Sequence, residues 1–269
     1  SLASNGRRGL AQSIFQVGGN LGGSVGPLIV ALIVAPYGRE RIIFFGIISL
    51  LAFVIMRPIC KWYGNYLHQI RVAKTSSKNH KDRPFSVRKT IFAISILLVL
   101  IFSKYIYMAS ITSYYTFYLI EKFGVSIQTS QLCLFVFLIA TAIGTLMGGP
   151  IGDKKGRKFV IWLSILGAAP FSLLMPHMGF AATIVLSFCV GFILSSAFPS
   201  ILLYAQELLP NKIGLISGLF FGFAFGMGGI ASALLGTYAD QYGIEMVYKV
   251  CAYMPLLGLV AYFLPDTKR

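Results

Sequence analysis

Eight stretches of about twenty or more mainly apolar residues follow one another along the chain, at about 10–36, 42–62, 90–122, 126–151, 159–178, 180–206, 213–239 and 244–264. A helix needs about 20 such residues to cross a hydrocarbon core of about 30 Å. Inside that core each backbone polar group must be satisfied within the protein, which leaves only helices and closed barrels. Barrel strands would be about ten residues of strict alternation, and these stretches are longer and do not alternate. The expected fold class is therefore all-α and integral to a membrane. Composition agrees, with 57% of the 269 residues hydrophobic and 12% charged, where soluble domains are about 25% charged. A soluble fold would expose apolar patches that water does not tolerate. Disordered and disulfide-framework readings fail on the same numbers. The four cysteines (Cys60, Cys133, Cys189, Cys251) form no C-x-x-C or Cys/His cluster, and three of them read as small buried hydrophobes.

A net charge of +15 would ordinarily suggest nucleic acid or an anionic surface. Eight spans put both ends on one side, so the basic residues can be assigned to faces. Eighteen fall on the face that holds the termini and the long connector, three (Arg39, Arg41, Lys122) on the other, and Lys104 and Lys249 within spans. This asymmetry is a positive-inside signal, so the first face and both visible termini are expected in the cytoplasm. The charge is spent on topology, and no nucleic-acid partner is expected; the lipid bilayer is. Short connectors carry turn residues such as Pro36-Tyr37-Gly38 and Pro210-Asn211. The one long connector, 63–89, has no apolar periodicity and reads as a flexible cytoplasmic linker.

Gly9-Leu10-Ala11-Gln12-Ser13-Ile14-Phe15 repeats as Gly214-Leu215-Ile216-Ser217-Gly218-Leu219-Phe220, with Gly23 on Gly228 further along. Parallel repeats of this kind mark transporters built from two similar bundles. If the linker divides equal halves, six spans follow it and two precede it. The expectation is of residues 1–62 as the last two helices of an N-terminal bundle, 63–89 as the linker and 90–269 as a C-terminal six-helix bundle, four helices short of twelve.

The most specific motif is Gly149-Pro150-Ile151-Gly152-Asp153-Lys154-Lys155-Gly156-Arg157-Lys158. Gly149 and Gly152 permit close approach of a neighbouring helix. Asp153 can accept hydrogen bonds from a helix N-terminus or pair with Arg157 four positions on. The run resembles the G-x-L-a-D-r-x-G-r-k loop of the major facilitator superfamily, in which Gly149, Gly152, Asp153, Gly156, Arg157 and Lys158 would form a gating latch rather than a substrate site. Gly22-x-x-x-Gly26-Pro27 partly resembles that superfamily's antiporter motif, departing from it at Val30 and Ala31; the other reading of these residues is helix packing. Arg8–Gln16, Tyr204–Pro210 and Phe220–Gly229 resemble the fosmidomycin resistance group of exporters within the superfamily. The resemblance implies an inner-membrane antiporter that exports a phosphonate antibiotic, monomeric when full length, with this chain covering helices 5 to 12.

The stretch at 90–122 would extend about 50 Å as a helix. Its first half is apolar, whereas its second reads Ser103-Lys104-Tyr105-Ile106-Tyr107-Met108-Ala109-Ser110. Lys104 lies about 21 Å in, past the midplane. An intramembrane lysine costs about 2.5–3.5 kcal/mol on insertion scales and marks function by default, the alternative being that it snorkels to the outer interface. Tyr107, Tyr115 and Tyr118 fall within about 60° of it on a helical wheel, with Tyr114 at the edge. Lys104, Tyr107, Tyr114 and Tyr115 are the expected substrate-binding residues, with Lys104 the counter-charge to a small anion.

None of the eight acids is deep in a span. Asp153 and Glu207 are the coupling candidates within the chain; otherwise the proton-coupling carboxylate is expected in helices 1 to 4. No metal or organic cofactor is suggested. A membrane-embedded enzyme would need a convergent nucleophile, acid/base or metal constellation inside the spans, which is absent, so no enzyme is expected. The remaining alternatives are a carrier for another metabolite or sugar, or a fragment inactive on its own.

Overall fold

The computed structural model describes residues 8–38, 40, 43–74 and 86–265, and these form eight long helical segments with no strand among them. They are α1 (Arg8–Tyr37), α2 (Phe44–Lys74), α3 (Val87–Phe123), α4 (Ile127–Lys155), α5 (Arg157–His177, its last turn 3₁₀), α6 (Phe180–Leu208), α7 (Ile213–Tyr242) and α8 (Ile244–Phe263). Each of the eight apolar stretches is one of these helices. Among the described residues, seven of them, α1 and α3–α8, are long and apolar enough to cross a membrane. The helix α2 continues through Lys74, so residues 63–74, expected to open the linker, are helical instead. The polar run after Lys74, and the acids Asp82 and Asp266, lie outside the described residues.

Boundaries follow local chemistry. Gly124, at φ +64°, donates its N–H to the Ile120 carbonyl and stops α3 in a left-handed cap, a conformation that costs glycine nothing. Two residues on, the Ser126 hydroxyl accepts from the Thr129 N–H and starts α4, as an N-cap serine should. Gly156, at φ +99°, makes the whole joint between α4 and α5.

Helix α3 sits at the centre, touching α4, α7 and α8, and it supplies much of the buried core. Toward its C-terminal end Tyr118 stacks on Tyr248 of α8 at 4.1 Å, and Lys122 donates to the Tyr118 hydroxyl at 3.0 Å and to the Pro176 carbonyl. Helix α4 is packed on two faces by small residues. A Cβ added to Gly144 or Gly148 would strike the backbone of α6 at Phe192 and Ser196, and one on Gly149 would strike Gly9 and Ser13 of α1. Backbone meets backbone at these places, and only glycine allows it. By contrast Gly22 is exposed, and neither Gly22 nor Gly26 has a described atom within 4 Å of an added Cβ. Among the described residues, neither Gly22 nor Gly26 is thus closely packed. Past Pro27 the helix widens into a π-turn at Val30–Val34.

Helix α6 is broken at Ser196 into Phe180–Ser195 and Ala197–Leu208. Pro199 has no N–H to return to the carbonyl four residues back, and its ring crowds that carbonyl. The carbonyl in question belongs to Ser195. It accepts instead from the Thr145 hydroxyl of α4 at 3.4 Å.

Candidate transport site

The freed carbonyl borders a cavity of about 610 Å³ enclosed by α1, α3, α4, α6 and α7. That size suits a small organic ligand. Lys104, Tyr105 and Met108 come from α3; Thr141 and Thr145 from α4; Ser195 and Phe198 from α6; Phe221 and Phe225 from α7; Phe15, Gln16, Gly19 and Asn20 from α1. No carboxylate is among the lining residues.

Lys104 is 5% exposed. Its Nζ lies 5.2 Å from the Phe198 ring and 5.5 Å from the Tyr105 ring, and it makes no hydrogen bond or ion pair among the described residues. Cation–π contacts contribute about 0.5–2 kcal/mol each, which offsets only part of the cost of placing a lysine at depth. The ammonium is held by two rings and left short of an anion. Lys104 thus lies where the sequence places it, but the tyrosines do not line the cavity beside it. Tyr107 is buried in the core with its hydroxyl unpartnered. Tyr114 donates to the Ser232 carbonyl of α7 at 2.6 Å, and Tyr115 to the Ser187 hydroxyl of α6 at 3.0 Å. Both hold helices together.

The cavity residues from the other helices were not singled out in the sequence. Gln16 and Asn20 carried a usable signal, two amides one turn apart in an apolar span. Asn20 Nδ2 donates to Thr145 Oγ1 at 2.8 Å, while Gln16 Oε1 is buried with no partner. Phe198, Phe221 and Phe225 read only as apolar positions and carried no local signal.

At the basic end of the bundle the Gly149–Lys158 motif closes a second arrangement. Asp153 Oδ1 accepts from the Gly9 N–H at 3.0 Å and Oδ2 from the Leu10 N–H at 3.1 Å. Both are orphan donors at the start of α1, where a carboxylate is favoured by the helix dipole. Arg157 pairs with Asp153 at 2.7 Å and reaches Glu207 of α6 at 3.5 Å. Both roles foreseen for Asp153 are filled at once. Gly152 lies where a Cβ would come within 2.7 Å of Ser200 Oγ, and Gly9 where one would come within 2.7 Å of both Asp153 oxygens. Lys158 is half-buried just beyond Arg157. The cluster joins α1, α4, α5 and α6 through two carboxylates and one guanidinium. Glu207 is engaged in it, remote from the cavity lining.

An all-helical bundle with a broken helix beside a cavity, and a glycine-framed Asp–Arg cluster at one end, fits the architecture of the major facilitator type. Residues 1–233 match the Major Facilitator Superfamily, and the chain belongs to it. It is similar to the fosmidomycin resistance protein of Escherichia coli (strain K12), 58% identical over 268 residues that cover all of this chain and 65% of that protein. It is also similar to an uncharacterised major facilitator transporter of Bacillus subtilis (strain 168), 38% identical over 268 residues, covering 66% of it. The chain therefore spans slightly less than two thirds of the length of these relatives.

Proposed function

We propose that the protein is a secondary active exporter of small organic anions, fosmidomycin-like phosphonates among them, driven by exchange for protons. The observation that carries this reading is Lys104, an ammonium without a counter-ion facing a cavity large enough for such a substrate. The 58% identity to a fosmidomycin resistance protein supports the phosphonate and the outward direction. In this reading α1 and α2 belong to one bundle and α3–α8 to another. The two rock about the cavity, and the Asp153–Arg157 cluster holds the basic end shut in one of the two states. The eighteen-to-three distribution of basic residues favours a cytoplasmic basic end. With no carboxylate in the described cavity lining and Glu207 paired to Arg157, proton coupling falls to a carboxylate outside this set.

Drug susceptibility tests the reading. Expression in an efflux-deficient bacterium should raise the inhibitory concentration of fosmidomycin several-fold, and Lys104→Gln should return it to the vector level. Equal protection by wild type and Lys104→Gln would sink the role given to the lysine.

A further inference from the structure

The cavity has three chemically distinct parts, and together they describe a ligand more closely than its charge alone. One part is aromatic. Phe221 meets Phe15 at 6.5 Å, Phe198 at 5.3 Å and Phe225 at 6.2 Å between ring centroids. Tyr105 meets Phe198 at 5.5 Å and Phe225 at 6.2 Å. Five rings from four helices thus form one continuous wall. Phe198, at 3% exposed, makes its floor, and Phe15 and Phe225, at 71% and 68%, its rim. Such a wall favours a flat π-system over a saturated body of equal size, through edge and offset contacts.

The other two parts are polar and opposite in sense. Lys104 offers only donors and has no acceptor among the described residues. On the facing side several donors are turned to protein acceptors. Asn20 donates to Thr145, Thr145 to the Thr141 and Ser195 carbonyls, and Thr141 to the Leu138 carbonyl. What is left is an acceptor, Gln16 Oε1, buried and unpartnered. A buried acceptor without a donor costs free energy until a ligand supplies one.

We propose that, beside acyclic phosphonates, this cavity takes a flat aromatic anion that carries a hydrogen-bond donor apart from its charged group. The anion meets Lys104, the ring lies on the Tyr105–Phe198–Phe221 wall, and a hydroxyl or amine donates to Gln16 Oε1. The inference rests on the anion-transport reading above and adds a second substrate class to it.

Equilibrium dialysis of the purified protein with three labelled monoanions tests it: 4-hydroxybenzoate, benzoate and cyclohexanecarboxylate, with fosmidomycin as a separate arm. Benzoate should bind several-fold more tightly than cyclohexanecarboxylate, and 4-hydroxybenzoate about tenfold more tightly than benzoate. Gln16→Leu and Gln16→Met should each erase the hydroxyl preference and keep benzoate binding, which also reports an intact cavity. Phe198→Leu should erase the preference for benzoate over its saturated analogue. Lysine-dependent binding of all three acids without discrimination overturns the inference and leaves the anion reading standing, as does a hydroxyl preference that survives both Gln16 variants. Loss of benzoate in both Gln16 variants overturns the role given to that residue. Absence of Lys104-dependent binding of any anion, fosmidomycin included, overturns the transport reading itself.

Discussion

Asp153 carries more structure per atom than any other acid described. Its two oxygens accept two backbone N–H groups at the start of α1, and Oδ1 also takes Arg157. Hydrogen bonds to a charged group contribute about 1.5–3 kcal/mol each. The Arg157–Asp153 side chains are only 11% and 17% exposed, so this pair outweighs the longer contact to the more exposed Glu207. Asp153→Asn keeps the shape but loses the charge and one acceptor. Efflux from loaded cells should slow about tenfold, with expression unchanged. An unchanged rate would show that the latch does not govern the cycle. The Asp153–Arg157 pair and its glycines were legible because they are close in sequence with fixed spacing, whereas the Gly9, Leu10 and Glu207 contacts come from distant parts of the chain and were not. The cavity was legible only at Lys104, whose charge is anomalous in an apolar span. Tyr107, Tyr114 and Tyr115 were placed beside it by a helical wheel, which reports a shared face but not the neighbour. Helix α3 is surrounded, so one sector of its surface meets α6, α7 and α8 in turn. The cavity takes Tyr105 instead, from a position 100° around the helix, because the lysine chain is long enough for its Nζ to lie over the adjacent ring.

At the scale of elements, α4 and α6 form the frame on which both sites depend. Gly144, Gly148 and Gly152 recur every four residues on α4 and face α6. That spacing is the membrane-helix contact signal, present in the sequence beside the better-known motif. Gly148→Ala would press a methyl into the Ser196 carbonyl, at the break that Pro199 creates. Overpacking of this kind costs about 1–3 kcal/mol, and the melting temperature of the purified protein should fall by several degrees. Gly22→Ala, on an exposed part of α1, should leave it unchanged. Equal melting temperatures for the two variants would contradict the α4–α6 contact. The eight helices themselves were readable from apolar length, to within a few residues at most ends. Their largest departure is at α2, which runs on to Lys74. Helical hydrogen bonding continues there beyond the apolar stretch, and apolarity alone does not register it.

For the whole molecule, the basic residues and the helix order make one statement about orientation. Cys60 lies on α2 between Arg57 and Lys61 and is exposed, whereas Glu121 is exposed at the opposite end of α3. In intact cells a membrane-impermeant maleimide should spare Cys60 and label a cysteine introduced by Glu121→Cys. Inverted vesicles should show the reverse. The same labelling on both faces would break the topology on which the transport direction rests. In the proposed function the unpaired Lys104 ammonium recognises the transported anion. The most direct test of this recognition is uptake of labelled fosmidomycin into inverted vesicles under an imposed proton gradient. Wild type should accumulate the drug and release it when the gradient is collapsed, and Lys104→Gln should reduce the initial rate at least about tenfold. Uptake by Lys104→Gln at the wild-type rate would contradict that role.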